Sequence, residues 1–245
     1  MTVSQMLVVA GAFIVAGIAK GTLGIGLPPI AIGLMTLSVS LADALAILTL
    51  PTMLTNVFQA FYGRRFFPLL GRFGAMAIAS VVGVISAALL LGKLGTPDMM
   101  GWLGILLVLY ASLALFAWRP VMPRAAEWWA NPLIGLASGA VAGLTGMAAV
   151  PFLPYMQSLQ IGRDELVQGL GIMFVFIMGA LAVALIHQNI FTIANTVGSV
   201  AALLPTFLGV WIGQKLRRRT SPELFRKIFL FGMLALGLQM ARGLM

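Results

Sequence analysis

Charged residues divide this chain into long apolar runs. A helix that crosses a bilayer needs about 20 consecutive apolar residues. Six runs are of roughly that size: 44–63, 73–92, 99–118, 166–186, 188–214 and the shorter 228–241. Two others, 2–42 and 128–162, are too long for one crossing, and the first carries Lys20 near its centre. The pattern predicts an all-α polytopic membrane protein with six single crossings and two segments of a different kind.

Each of the two long runs contains the same glycine-rich motif. It reads G-x-x-x-G-x-x-G-x-G-x-P from Gly17 to Pro28 and G-x-x-x-G-x-x-G-x-x-x-x-P from Gly139 to Pro151, with the first three glycines at one constant offset. Backbone without helical hydrogen bonds is tolerated in a membrane only where protein or a water-filled cavity surrounds it. We therefore predict that each run enters as a helix, breaks near mid-membrane and turns back as a re-entrant hairpin.

The sequences that begin the helices repeat as well. Thr96-Pro97-Asp98 matches Ser221-Pro222-Glu223, while Asp43, within Ser40-x-x-Asp43, and Glu165 each open the helix after a hairpin. A capping hydroxyl, a first-turn proline and an acid at the positive end all favour a helix start. We therefore predict one transmembrane domain, 1–245, built from two repeats, about 2–118 and 129–245. Each repeat would be a broken hairpin followed by three transmembrane helices.

The positive charges indicate how the segments are threaded. If all eight segments crossed once, Lys and Arg would divide 8 to 6 between the two faces. If both broken segments return to their starting face, 12 fall on one face and 2, Lys93 and Arg242, on the other. Because cytoplasmic loops are enriched in Lys and Arg, the second arrangement is favoured. It makes the two repeats inverted and places both termini outside a bacterial-type plasma (inner) membrane.

Composition excludes several classes of function. The chain is 61% hydrophobic and 9% charged, against about 25% charged residues in a soluble domain. The net charge is +9, and the basic residues that produce it lie between the apolar runs. Basic residues in such positions orient a membrane protein and do not indicate nucleic-acid binding. There is no cysteine and one histidine, His187, so thiolate and multi-histidine metal sites are excluded and no cofactor is expected. The N-terminus has no basic region, so we expect no cleaved signal peptide.

Lys20 is the strongest candidate for a functional residue, because a charge inside an apolar run is energetically costly and usually serves a function. It lies between Gly17 and Gly21, in the first break. Helix N-termini starting near Pro28 and Pro151 would point amide N–H groups and positive dipole ends into the same space. Together these features predict a site for a small anion. The alternative is that the break is shallow and Lys20 snorkels to a surface.

Two polar stripes could line a path for that anion. They comprise Thr49, Thr52, Thr55, Asn56 and Gln59 in the first half, and Asn189, Thr192, Asn195, Thr196 and Ser199 in the second. Each stripe recurs at spacings of three and four residues, so it occupies one helical face. The alternative is that these side chains hold helices together, most readily so for Thr and Ser. His187 is expected to be a surface residue in an external turn.

The predicted substrate-binding residues combine the two breaks with the amide and hydroxyl candidates. They are Lys20, Gly21, Gly24, Gly26, Thr52, Asn56, Gln59, Gly143, Thr145, Gly146 and Asn195. Glycine permits close approach of a ligand to the backbone. Glycines at four-residue spacing, such as Gly17 and Gly21, are equally typical of close helix packing. The acids at helix starts are interpreted as capping residues.

The two break motifs and the repeated helix entries resemble the TauE/SafE family of sulfite and organosulfonate transporters, over nearly the whole chain. The resemblance implies transport of sulfite, a sulfonate or a related small organic acid, and no enzymatic activity. Inverted repeats with broken helices are themselves typical of secondary transporters that bind substrate at the midplane. An inside-negative potential drives anions outward, so an exporter would need no coupling ion.

Other classes of function remain as alternatives. An anion channel or an uptake permease for an organic acid would share the same architecture. A membrane enzyme is disfavoured, because the chain lacks cysteine, paired histidines and acids within its apolar runs. A structural or assembly subunit would not need Lys20 in a break. The expected partners are a small anion and the lipid bilayer, and the oligomeric state is left open.

Overall fold

The computed structural model describes residues 2–90, 96–115, 121–146, 149–217 and 222–242. Within those ranges the chain is helical and contains no strand. The helices are α1 (Val3–Leu23), α2 (Leu27–Met35), α3 (Leu41–Phe61), α4 (Phe66–Leu90), α5 (Pro97–Leu115), α6 (Glu127–Thr145), α7 (Ala149–Ser158), α8 (Arg163–His187), α9 (Ile193–Ala201), α10 (Leu203–Arg217) and α11 (Pro222–Ala241). The predicted all-α fold class is confirmed.

Both predicted helix breaks are present. α1 ends where Gly24 adopts φ 82°, with its N–H bonded to Lys20 O at 2.7 Å, and Gly26 follows at φ 99°. α6 ends in the same way at Gly146, which has φ 70° and donates its N–H to Ala142 O at 2.8 Å. A residue with a Cβ atom is strained at such positive φ, so glycine ends each helix and frees the chain to turn.

Each broken segment returns to the end from which it started. In the first, Gln5 Nε2 at the start of α1 donates to Ser38 O beyond α2, at 3.1 Å. In the second, Met122 N donates to Ser158 O at the end of α7, at 3.0 Å. The two arms are unequal, since α1 has 21 residues and α2 has 9. The depth of each break therefore depends on the tilt of its long arm, and the midplane position stays a prediction.

The predicted helix starts are confirmed for the residues that the structure describes. α5 begins at Pro97 and α11 at Pro222, while Glu165 lies in the first turn of α8. Asp43 N donates to Ser40 Oγ at 3.1 Å at the start of α3. The side chains of Asp98 and Glu223, together with Lys93, Arg119 and Ser221, lie outside the described residues.

Two helix boundaries differ from those of the apolar runs. α4 begins at Phe66 and includes Arg72, which bounds an apolar run in the sequence and forms an ion pair with Glu127. The run 188–214 is divided into α9 and α10 at Ala202. Pro205 accounts for the division, because it has no N–H for the carbonyl four residues earlier.

The helices form two compact units that do not coincide with the two sequence repeats. Unit 1 comprises Met1–Thr52, Gly95–Ala117 and Asn189–Met245, and unit 2 comprises Met53–Leu94 and Trp118–Gln188. In unit 1, α1 packs on α10 and α5 on α11. In unit 2, α4 packs on α6 and α8. Each unit thus combines helices from both repeats. The single transmembrane domain and the inverted orientation stay predictions.

Several helices have the dimensions of membrane spans. Among the described residues, five helical stretches are long and apolar enough to cross a bilayer: α1, α3, α4, most of α8, and α9 with α10 taken together. Shorter apolar stretches occur at Met99–Leu115 and Leu230–Ala241. The fold is therefore that of a multi-pass membrane protein.

Candidate functional site

Lys20 lies in the last turn of α1 and not in the broken backbone itself. It is only 7% exposed, which disfavours the alternative that it extends to the protein surface. Lys20 continues a helical stripe of buried side chains formed by Val9, Phe13 and Ala16, at spacings of three and four residues that place them on one face. The chain thus holds a lysine side chain inside protein, next to a helix break, where a positive charge costs roughly 3 kcal/mol by membrane-insertion scales.

The α2 N-terminus beside this break offers fewer amide donors than expected. Pro28 and Pro29 both lie in the first turn of α2 and carry no N–H. Gly26 and Leu27 are the residues of that turn with an amide to present, since Ile30 N is bonded to Gly26 O. The break therefore combines one ammonium with two backbone N–H groups. The two prolines thus reduce the number of amide N–H groups that the start of α2 can present, and the role of these amides in binding stays a prediction.

Gly21 belongs to a close helix crossing in unit 1. α1 and α10 meet through two glycine pairs, Gly17 with Gly209 and Gly21 with Gly213, and a Cβ on Gly209 or Gly213 would lie 3.0 Å from the partner Cα. A Cβ on Gly17 would lie 2.6 Å from Thr206 O. Small residues at four-residue spacing permit this approach. The space beside Gly21 is filled by α10, so the structure favours the packing interpretation.

Gly143 occupies the corresponding crossing in unit 2. A Cβ there would lie 2.9 Å from Val84 O on α4, and a Cβ on Gly83 would lie 2.8 Å from Ala140 N on α6. Gly139 packs on the backbone of Ser80. As in unit 1, the helix backbone fills the space beside the motif glycines. Gly24, Gly26 and Gly146 are different, because their positive φ turns the chain at a break: Gly24 and Gly146 end α1 and α6, and Gly26 precedes the first residue of α2.

Asn195 is engaged in holding two helix starts together. It is 4% exposed, and its Nδ2 donates to Asp43 Oδ1 at 2.9 Å and to Ile190 O at 3.3 Å. Its own N–H bonds to Thr192 Oγ1, the N-cap of α9. This amide therefore links the first turns of α3 and α9 within unit 1. Asn195 thus has the role predicted as the alternative for the polar stripe, which is hydrogen bonding between helices.

Gln59 is engaged in the same manner in unit 2. Its Nε2 donates to Val167 O on α8 at 2.7 Å. In return, Gln168 Nε2 donates to Ala60 O at 2.8 Å and to Gly63 O at 3.0 Å, and its Oε1 accepts Arg65 N. Gln168 thereby satisfies carbonyls at the end of α3. Sequence analysis missed Gln168, because its partners lie on another helix and no local motif marks them.

The remaining predicted residues are all buried. Thr52 and Asn56 are 0% and 1% exposed and lie one helical turn apart on α3, Thr52 in unit 1 and Asn56 in unit 2. Thr145 is the last residue of α6, and its hydroxyl donates to Val141 O at 2.7 Å. His187 is exposed at the end of α8, as expected. Within the described residues no cluster of His, Asp and Glu could hold a metal ion.

A polar network in unit 2 was not foreseen. Arg72 on α4 donates through Nε and an Nη to both carboxylate oxygens of Glu127, at 2.8 and 2.5 Å. Asn131 Nδ2 donates to Arg72 O, and Tyr155 Oη donates to Asn131 Oδ1 at 2.7 Å. The network ties α4, α6 and α7 together at the start of the second hairpin. Glu127, in the first turn of α6, therefore also joins that helix to α4.

Taken together, the two broken hairpins and the apolar helices define a multi-pass membrane protein with interrupted helices. The family model described as "Sulfite exporter TauE/SafE" matches residues 9–240. The chain belongs to this family, which confirms the resemblance seen in its motifs. Membership implies a membrane transporter of sulfur-containing anions. No match was found among curated proteins or among solved structures.

Proposed function

We propose that this protein exports a small sulfur-containing anion, sulfite or a sulfonate, across the bacterial-type inner membrane, and that the anion binds beside Lys20 at the first helix break. The observation that carries the proposal is a buried lysine next to a glycine-broken helix, in a chain of this transporter family. An ammonium and the amides of Gly26 and Leu27 suit a multivalent oxyanion, which accepts several hydrogen bonds at once.

The two breaks contribute unequally to this proposal. The first carries Lys20, whereas the corresponding motif position in the second is Ala142. Thr145 and Gly146 offer a hydroxyl and backbone at the second break but no charge. We therefore assign charge recognition to the first break. The expectation that both breaks line one site stays a prediction.

The binding test is thermal unfolding of purified protein with a panel of sulfite and small sulfonates. An anion present at 100 times its Kd stabilises the folded state by about 2.7 kcal/mol. Lys20→Ala should abolish this stabilisation. Lys215→Ala is the matched control: this lysine belongs to the same unit but is exposed, with its ammonium 3.7 Å from the Trp211 ring centroid. Equal stabilisation of wild type and Lys20→Ala would remove Lys20 from the site.

Export itself is tested in proteoliposomes. A membrane potential acts on a moving charge with about 2.3 kcal/mol per 100 mV. Efflux of the stabilising anion should therefore accelerate when the interior is made negative, without a coupling ion. Electrical recording from the same reconstituted protein should show no single-channel current, because such a current would indicate an anion channel and not a transporter with alternating access. Efflux that responds only to an imposed proton gradient would contradict uncoupled export.

A further inference from the structure

Pro51, within α3, leaves a carbonyl that α9 satisfies. Proline has no N–H, so Ile47 O, four residues earlier, loses its helical donor. Ser199 Oγ on α9 donates to that oxygen at 2.8 Å and accepts Leu50 N at 3.4 Å. Ser199, which the sequence placed on a polar stripe, thus replaces the bond that the proline removes.

A second bond joins the same two helices near their starts. Asn195 Nδ2 donates to Asp43 Oδ1 at 2.9 Å, and Asn195 lies one turn before Ser199 on α9. Successive turns of α9 are therefore bonded to successive turns of α3. We call residues 41–50 together with Ile193–Ala201 the α3–α9 pair. Both of its members belong to unit 1.

A proline follows each member of the pair: Pro51 comes directly after residue 50, and Pro205 lies in the first turn of α10, four residues after Ala201. α3 continues through Pro51, whereas α9 ends before Ala202, and Pro205 lacks the N–H that would bond to Ala201 O. A boundary between the two compact units also lies close to each member. One boundary is between Thr52 and Met53, just after the α3 member, and the other is between Gln188 and Asn189, just before the α9 member. Helical hydrogen bonding is thus interrupted at each member's C-terminal end, while bonds within the pair are intact.

We propose that the α3–α9 pair is a gate that moves as one body about hinges at Pro51 and Pro205. Interrupted helices bend at such positions, and hinges of this kind open and close transport or active sites. Thr52, a buried candidate for substrate contact, directly follows the first hinge. The inference rests on the proposed function, because the gate controls access of the anion from the face predicted to be external.

The transport test compares three proline variants. Pro51→Ala and Pro205→Ala restore the missing N–H, so each should slow anion efflux about tenfold while the anion still stabilises the protein as in wild type. Pro132→Ala, which changes a proline inside α6 of unit 2, should leave efflux unchanged. Wild-type efflux in both hinge variants would overturn the gate, and so would loss of anion binding together with efflux.

A second test does not depend on any anion. Ser199→Ala frees Ile47 O, so amide hydrogen exchange should accelerate together in 41–50 and in Ile193–Ala201, by about the same factor. α10 should keep its wild-type protection. Acceleration in only one member would show that the two do not move as one body. If wild type transports no anion, the proposed function fails, but the exchange result still decides whether the pair is a unit.

Discussion

The α1–α10 crossing in unit 1 and the α6–α4 crossing in unit 2 are built alike. Gly17 packs on Thr206 and Gly209, and Gly139 packs on Ser80 and Gly83. Both hydroxyl residues are fully buried, and each bonds back to the carbonyl four residues earlier, Thr206 to Ala202 and Ser80 to Met76. The duplicated motif therefore encodes a duplicated backbone contact, and close approach of two helices is its primary role.

The chemistry around the two crossings is not duplicated. The second hairpin starts with the Arg72–Glu127 ion pair, whereas the first starts with a neutral bond from Gln5 to Ser38 O. The first hairpin carries Lys20 before its break, where the second has Ala142. Glycine spacing therefore sets the geometry of the crossing in both units, and single side chains give one hairpin an ion pair and the other a buried lysine.

The largest expected difference between the two hairpins is the side of the membrane on which each one starts, and chemical labelling can measure it. Inverted repeats place residues near Ser38 outside and residues near Arg124 inside. The chain has no cysteine, so Ser38→Cys and Arg124→Cys can be labelled without background. A membrane-impermeant thiol reagent applied to intact cells should label the first and spare the second until the membrane is opened. Labelling of both from one side would show that the repeats are not inverted.

The equivalence of the crossings is tested by adding one methyl group to each. Gly17→Ala and Gly139→Ala should each lower the unfolding free energy by about 3 kcal/mol, because the Cβ meets helix backbone that cannot move aside. Gly11 on α1 and Gly74 on α4 have open space where a Cβ atom would lie. Alanine at either control site should add about 0.5–1 kcal/mol. If only one of the two substitutions lowered the unfolding free energy in this way, the two crossings would not be equivalent.

The difference between the hairpins is tested at their starts. Glu127→Gln leaves Arg72, whose side chain is 23% exposed, without its counter-charge and should lower stability by about 2 kcal/mol, between the values for surface and buried pairs. Glu165→Gln breaks the pair with the exposed Arg65 and should cost less than about 1 kcal/mol. Thermal unfolding of both variants gives the comparison. Equal losses would mean that Arg72–Glu127 is an ordinary surface pair.

Gln5→Ala should have the smallest effect. It removes two exposed neutral hydrogen bonds, from Gln5 Nε2 to Ser38 O and from Thr2 N to Gln5 Oε1, together worth about 1 kcal/mol. The midpoint of thermal unfolding should therefore shift less than in Glu127→Gln. A larger shift would mean that the first hairpin depends on its opening as strongly as the second does.

The sequence by itself determined the membrane class, the two breaks, their return and the family. The membrane class and the breaks follow from rules that act within a few residues, and the return follows from the distribution of Lys and Arg over the whole chain. Apolar length sets a crossing, and glycine at positive φ ends α1 at Gly24 and α6 at Gly146. Lys20 was found by the same logic, since a charge in an apolar run is conspicuous wherever it lies.

Only the tertiary structure decided which polar side chains hold helices together. Gln59 bonds to a carbonyl 108 residues away and Asn195 to a carboxylate 152 residues away, and no local pattern encodes such partners. The same holds for Arg72, whose partner Glu127 lies 55 residues away on α6. A buried polar group must find a partner somewhere in the fold, and packing of distant helices determines which one it meets.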